Sequence, residues 1–172
     1  MATTCKLIAK TVLGSDTASI TFSSIPGTYD DLLLCVSLRS DETGGDGFDS
    51  FNLRFNGDTG SNYTYRRIRG DGSGVASATA TQTSLRTGYY NLASSTSNCF
   101  GNGEIYLPNY AGSTNKSMSS TTVAEQNSST AYIAAIAGLW SDTSAITTIL
   151  ISPLSGNWVT NSSAYLYGIT KA

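Results

Sequence analysis

A chain of 172 residues and 18.0 kDa is one domain's worth of polypeptide. Charged residues make up only 13% of it, 49 positions are Ser or Thr, and ten Lys and Arg against twelve Asp and Glu leave a net charge of −2. The long-range field with which basic proteins reach nucleic acid or anionic membranes is therefore missing, and neither is expected as a partner. The chain has no histidine, so the commonest general base and the commonest transition-metal ligand are absent together, which excludes most hydrolase triads.

The N-terminal MATTCKLIAK has one short apolar stretch between lysines and no run of secretory-signal length, so synthesis in the cytosol is expected. No stretch approaches the ~20 apolar residues of a membrane helix, and a soluble chain is expected. Cys5, Cys35 and Cys99 are odd in number and lack Cys-x-x-Cys spacing, which fits free thiols better than a disulfide framework.

LIAKTVL (7–13) and ASITF (18–22) open a series of short strand-like runs. Asp31 to Arg39 reads DLLLCVSLR, with Leu32, Leu34, Val36 and Leu38 on one face and Leu33 and Cys35 on the other. Apolar on both sides, it belongs inside a sheet, and Cys35 reads as core. In FNLRFN (51–56), Phe51, Leu53 and Phe55 alternate with polar residues, the pattern of a half-buried strand. Further runs follow at 62–68, 84–92, 103–108, 120–126, 145–152 and 163–169. At 131–140, Ile133, Ile136, Ala137 and Trp140 also fit helical spacing, but Gly138 and the two isoleucines favour a strand.

Turn residues at Pro26-Gly27, Asn56-Gly57-Asp58, Asp71-Gly72, Gly101-Asn102-Gly103 and Gly156-Asn157 separate these runs. The spacing predicts a single all-β domain over 1–172, an antiparallel β-sandwich of jelly-roll-like form. Leu32, Leu34, Val36, Phe51, Leu53, Phe55, Ile149 and Ile151 are its expected core. Segments 40–50 and 70–84, rich in small polar residues, read as loops at one end of the sandwich, where partner contacts are usually made.

The first of these loops carries Asp41, Glu42, Asp46 and Asp49, hard oxygen donors of the kind Ca²⁺ takes, but without EF-hand spacing. A solvated turn and no metal are expected. Arg66, Arg67 and Arg69 follow Tyr63 and Tyr65 in the manner of a single-strand nucleic-acid platform. Strand alternation splits Arg66 from Arg67 onto opposite faces, so pairing of the basic cluster with the acidic loop between subunits is the better reading. Tyr89 and Tyr90 complete the candidate interface.

Arg69-Gly70-Asp71 spells an integrin-binding tripeptide, which three specified residues supply readily by coincidence. Glu104 and Glu125 are the carboxylates a glycosidase would need, but nothing in the sequence fixes their separation, and no base accompanies the cysteines. The expectation is therefore a non-enzymatic protein without catalytic residues or cofactors.

Four segments, DTASITFSSIPGTYDDLLLCVSLRSD (16–41), FNLRFNGDTGSNYTYRRI (51–68), AGLWSDTSAITTILI (137–151) and SAYLYGITKA (163–172), resemble in order a group of small virion structural proteins of tailed bacteriophages and cyanophages. FNGDTGSNY and the closing LYGI carry the resemblance most specifically. It implies a virion component, here expected to be a capsid decoration (cement) protein on the outside of the shell, binding the major capsid protein and stabilising capsomer contacts. It also implies a jelly-roll-like homotrimer. The alternatives are a tail or fibre component that binds host surface glycan and, third, a depolymerase.

Overall fold

The computed structural model describes residues 4–128 and 130–171. Among them there is no helix, and twelve strands follow in order: β1 (Cys5–Val12), β2 (Ile20–Phe22), β3 (Asp31–Leu38), β4 (Phe48–Phe55), β5 (Tyr63–Gly70), β6 (Val75–Gln82), β7 (Leu85–Asn91), β8 (Gly101–Pro108), β9 (Lys116–Ala124), β10 (Tyr132–Trp140), β11 (Ile149–Ser152) and β12 (Ser163–Ile169). They form an eight-stranded sheet, β1-β12-β3-β8-β9-β10-β5-β6, and a four-stranded sheet, β2-β11-β4-β7, with every ladder antiparallel.

The strand order is that of a jelly roll. β1-β12-β3-β8 and β2-β11-β4-β7 are its two four-stranded sheets, wound as Greek keys while the chain crosses repeatedly between them. Two hairpins are inserted into this frame, β5-β6 between β4 and β7 and β9-β10 between β8 and β11, and both add to the same side of the first sheet. The expected antiparallel β-sandwich is the observed fold, and the insertions make one of its sheets twice as wide as the other.

All eight expected core residues are buried, none more than 6% exposed. β3 lies inside the wide sheet between β12 and β8, as its two apolar faces predict. Period-2 burial in β9 and β10 confirms 131–140 as strand rather than helix. β7 reaches across from the narrow sheet onto the inserted hairpins. It carries a bulge opposite β4, where Gly88 takes φ +66° and a Cβ would sit 1.9 Å from the Thr122 hydroxyl.

Five expectations change. Gly101-Asn102-Gly103, expected as a turn, opens β8, and residues 48 to 50, expected as the end of a loop, open β4. Residues 70–84 are not a loop: β6 pairs residue for residue with β5 from Gly70↔Val75 to Tyr63↔Gln82. Between Val75 and Gln82 its sequence, VASATATQ, has only small side chains, so the ladder more than side-chain burial holds it, and no period-2 run of large apolar residues marks it. The run at 145–152 narrows to β11, because the Asn56 side-chain oxygen takes the N–H groups of Thr147 and Thr148 away from any ladder. Cys35 is half-buried on the outer face of the wide sheet rather than in the core; burial, with Glu104 and Cys5 nearby, pushes its thiol pKa up.

Candidate functional site

The segment that carries the resemblance most strongly, FNGDTGSNY, is a structural turn. Asn56 and Gly57 take left-handed φ values of 51° and 70° to reverse the chain between β4 and β5. The Asn56 amide donates to Ala145 O and accepts from Thr147 and Thr148, stitching the turn to the approach to β11. Asp58 accepts from Gly60 N, Asn62 Nδ2 and Trp140 Nε1. Tyr63 is fully buried against Phe55 and Trp140 and accepts from Phe55 N; burial pushes its pKa up to about 12. In LYGI, Leu166 is core and Gly168 lies under the Tyr29 ring, where a Cβ would come within 2.3 Å.

Tyr65 and Tyr90 join Tyr63 in the interior, at 7% and 0% exposure. Tyr90 packs edge-on against Trp158, and burial pushes its phenol pKa up strongly. These three candidate interface tyrosines, and Tyr89 at 5% exposure, therefore belong to the core and present almost no surface to a partner.

The basic cluster and the acidic loop do meet, but within one chain. Arg67 and Arg69 point to the inner side of β5, where β7 covers them. Arg67 sits 5.0 Å from the Tyr89 ring centroid and donates to Ser50 Oγ; Arg69 sits 4.5 Å over Tyr132 and donates to the Tyr89 hydroxyl at 3.0 Å. Tyr132 in turn donates to Asp46, which raises its pKa. Asp49 is half-buried nearby, and burial raises its pKa despite the Ser50 N–H and the neighbouring Arg86 and Arg67. Cation–π stacking and hydrogen bonds at this rim thus engage Arg67 and Arg69 within the chain.

Asp41 lies apart, accepting from the backbone and side chain of Asn157, and Glu42 accepts Ala93 N through its backbone. The acidic residues of 40–50 thus point to different partners, and no group of three or more potential metal ligands occurs among the described residues. Arg69-Gly70-Asp71 is not a free loop tip: Arg69 is turned inward, and Asp71 accepts from Ser73 and Gly74 in the β5–β6 turn. Glu104 is exposed on β8, and Glu125 accepts the N–H groups of Gln126 and Asn127 just past β9.

Arg66 alone of the cluster faces outward, on the open face of the wide sheet, as the alternation predicts. The ladders place that face in register. One row runs Thr79, Arg66, Ala137, Ser119, Tyr106, Leu33, Tyr167 and Leu7, and the next runs Ser77, Ile68, Ala135, Thr121, Glu104, Cys35, Tyr165 and Lys10. Between these rows, over the inserted hairpins, lies an open trough of about 600 Å³ with Ile68, Ala135, Ala137, Ser119 and Thr121 in its lining. Ile68, Val75 and Ile133 are 60%, 79% and 57% exposed on this half of the face.

The sequence reading missed this surface. Its signal was present in β10, where Ile133, Ala135, Ala137 and Leu139 make the second face of the strand as apolar as the first. Comparisons of the chain with protein-family models, with curated proteins and with solved structures found no match.

Proposed function

We propose that the protein is a non-enzymatic structural component of a tailed-phage virion, a decoration protein that sits as a homotrimer on the outside of the capsid and clamps major capsid protein subunits. The observation that carries this reading is the wide, weakly charged outer face of the jelly roll. Neutral Ser, Thr, Tyr and small apolar side chains can form partly wet, hydrogen-bonded contacts without the desolvation cost of burying many charges. The jelly roll is also the architecture that the sequence resemblance implies.

A decoration protein stabilises a shell because it binds the assembled lattice and not free subunits, adding roughly RT ln(1 + [L]/Kd) per occupied site. Linking three weak contacts in one trimer raises the effective concentration of each and slows release. Cryo-electron microscopy of virions, with particles lacking the protein, tests the reading. Depleted particles are expected to reach normal size but to lose their genome at lower temperature, and added protein is expected to restore them. Depleted particles of unchanged stability that fail to adsorb to cells would instead favour a glycan-binding tail component.

A further inference from the structure

We infer that the outer face of the eight-stranded sheet is where copies of this chain meet, the β10-β5-β6 half of one copy's face packing on the β9-β8-β3 part of the next across a rotation axis that runs along the strands between β9 and β10. This deepens the self-association element of the proposed function and rests on it, but not on the shell.

Composition of the face is the first argument. The hairpins β5-β6 and β9-β10 are not needed to complete the jelly roll, yet they carry Ile68, Val75 and Ile133, each more than half exposed. Three strands on each side of this axis, about 4.8 Å apart and each with three or four outward residues, give roughly 700 Å² of contact per copy, within the range of one side of a standard protein–protein interface.

Charge supplies the second argument and the register. Arg66 and Glu104 are exposed near the middle of this face, and each lacks an ion-pair partner among the described residues, where the one pair joins Lys171 to Asp31. They flank β10 and β9 symmetrically, Arg66 on β5 beside β10 and Glu104 on β8 beside β9. Rotation about an axis between β9 and β10 lays β5 of one copy over β8 of the next. Arg66 then meets the neighbour's Tyr106 and Glu104, which lie one outward row apart, about 7 Å and within the side chain's reach. At the axis itself stand Ala135, Ala137, Ser119 and Thr121, small enough for two backbones to approach closely.

The test uses the full chain in sedimentation velocity and light scattering, with Arg66→Glu, Glu104→Arg, the double reversal and Ile68→Asp, each checked for unchanged circular dichroism. The wild type is expected to self-associate. Each single reversal should weaken association by about tenfold or more, the double reversal should recover most of it, and Ile68→Asp should dissolve the oligomer. Three results overturn the inference: a chain that stays monomeric at about 100 µM, an oligomer indifferent to both single reversals, or a double reversal no better than the singles. Cross-linking that places the face of a monomeric chain against a capsid subunit also overturns it. An intact oligomer that fails to bind or stabilise particles sinks the decoration reading and leaves this interface standing.

Discussion

Asp58 accepts a 2.7 Å hydrogen bond from the indole of Trp140, tying the β4–β5 turn to the end of β10. The same carboxylate holds Gly60 N and Asn62 Nδ2, so one side chain fixes both the turn and its attachment to the inserted hairpin. A hydrogen bond to a charged acceptor contributes more than a neutral one, and Asp58→Ala also leaves the indole N–H unpaired. The expected cost is about 2 kcal/mol, read as a lower urea midpoint. Tryptophan fluorescence should report Trp140 loosening, whereas Trp158, whose indole donates to Ile151 O, should stay fixed. An unchanged midpoint would mean the turn holds without this bond.

Acid should unfold the protein through a small set of carboxylates. Trp140 first, then Asn62 and Gly60, hold Asp58 below the usual range, and the backbone and side chain of Asn157 do the same for Asp41. Burial pushes Asp31 up, but Tyr106, the Asn109 N–H and Lys171 together outweigh it and leave it lowered. Groups with depressed folded pKa values lend stability that is fully present above the unfolded value of about 3.9 and is lost as pH falls through the folded values. Asp49, raised by burial, has the opposite sign and a higher window: its ionisation costs stability as pH rises from the unfolded value of about 3.9 through its raised folded value. With no histidine to titrate, thermal stability is expected to be flat from about pH 5 to 8 and to fall below about pH 4. A transition near pH 6 would contradict this.

Legibility in the sequence followed side-chain size. β3, β4 and β12 announced themselves because large apolar residues recur at period 2, and the core follows directly from them. β6 was invisible, since Ala, Ser and Thr alternate without a hydrophobic contrast and its order comes from pairing with β5. β5 was legible as a strand but not in its facing. Tyr63, Tyr65, Arg67 and Arg69 share one side of YTYRRIRG, and charge argues that such a side faces water. It faces inward because the rings of Tyr89 and Tyr132, on two other strands, receive the guanidinium groups. That meeting depends on strand order, which no local pattern encodes.

Gly88→Ala tests the close approach of β7 to β9. The glycine combines φ +66° with no room for a Cβ beside Thr122, whose hydroxyl accepts from Tyr89 N. Alanine would meet both the backbone strain and the clash, so a loss of about 3 kcal/mol or more is expected in denaturant unfolding. Pairing it with Thr122→Ser, which removes the methyl but keeps the hydroxyl, should recover only part of the loss. Full recovery would assign the cost to the methyl contact alone.

Arg39 offers the sharpest test of how the sandwich end is organised. Its side chain is 9% exposed and has no carboxylate partner among the described residues. Instead Nη1 donates to Thr96 O and Cys99 O, each at 2.9 Å, and to Ser95 Oγ, while Nη2 donates to Ala93 O and Ser95 O. Five acceptors around one planar fork hold the 93–99 loop closed over the end of β3, and burial lowers the guanidinium pKa without neutralising it. A lysine keeps the charge but offers three donors from a single point, so it cannot reach carbonyls spread around a plane. Arg39→Lys should therefore cost about 2–3 kcal/mol and open the loop, seen as faster amide exchange at 93–99 while β3 and β12 stay protected. Loss of protection through β3 and β12 as well would show that Arg39 supports the core and not only the loop. Exchange at wild-type rates would mean that the carbonyls find water as readily as they find the guanidinium.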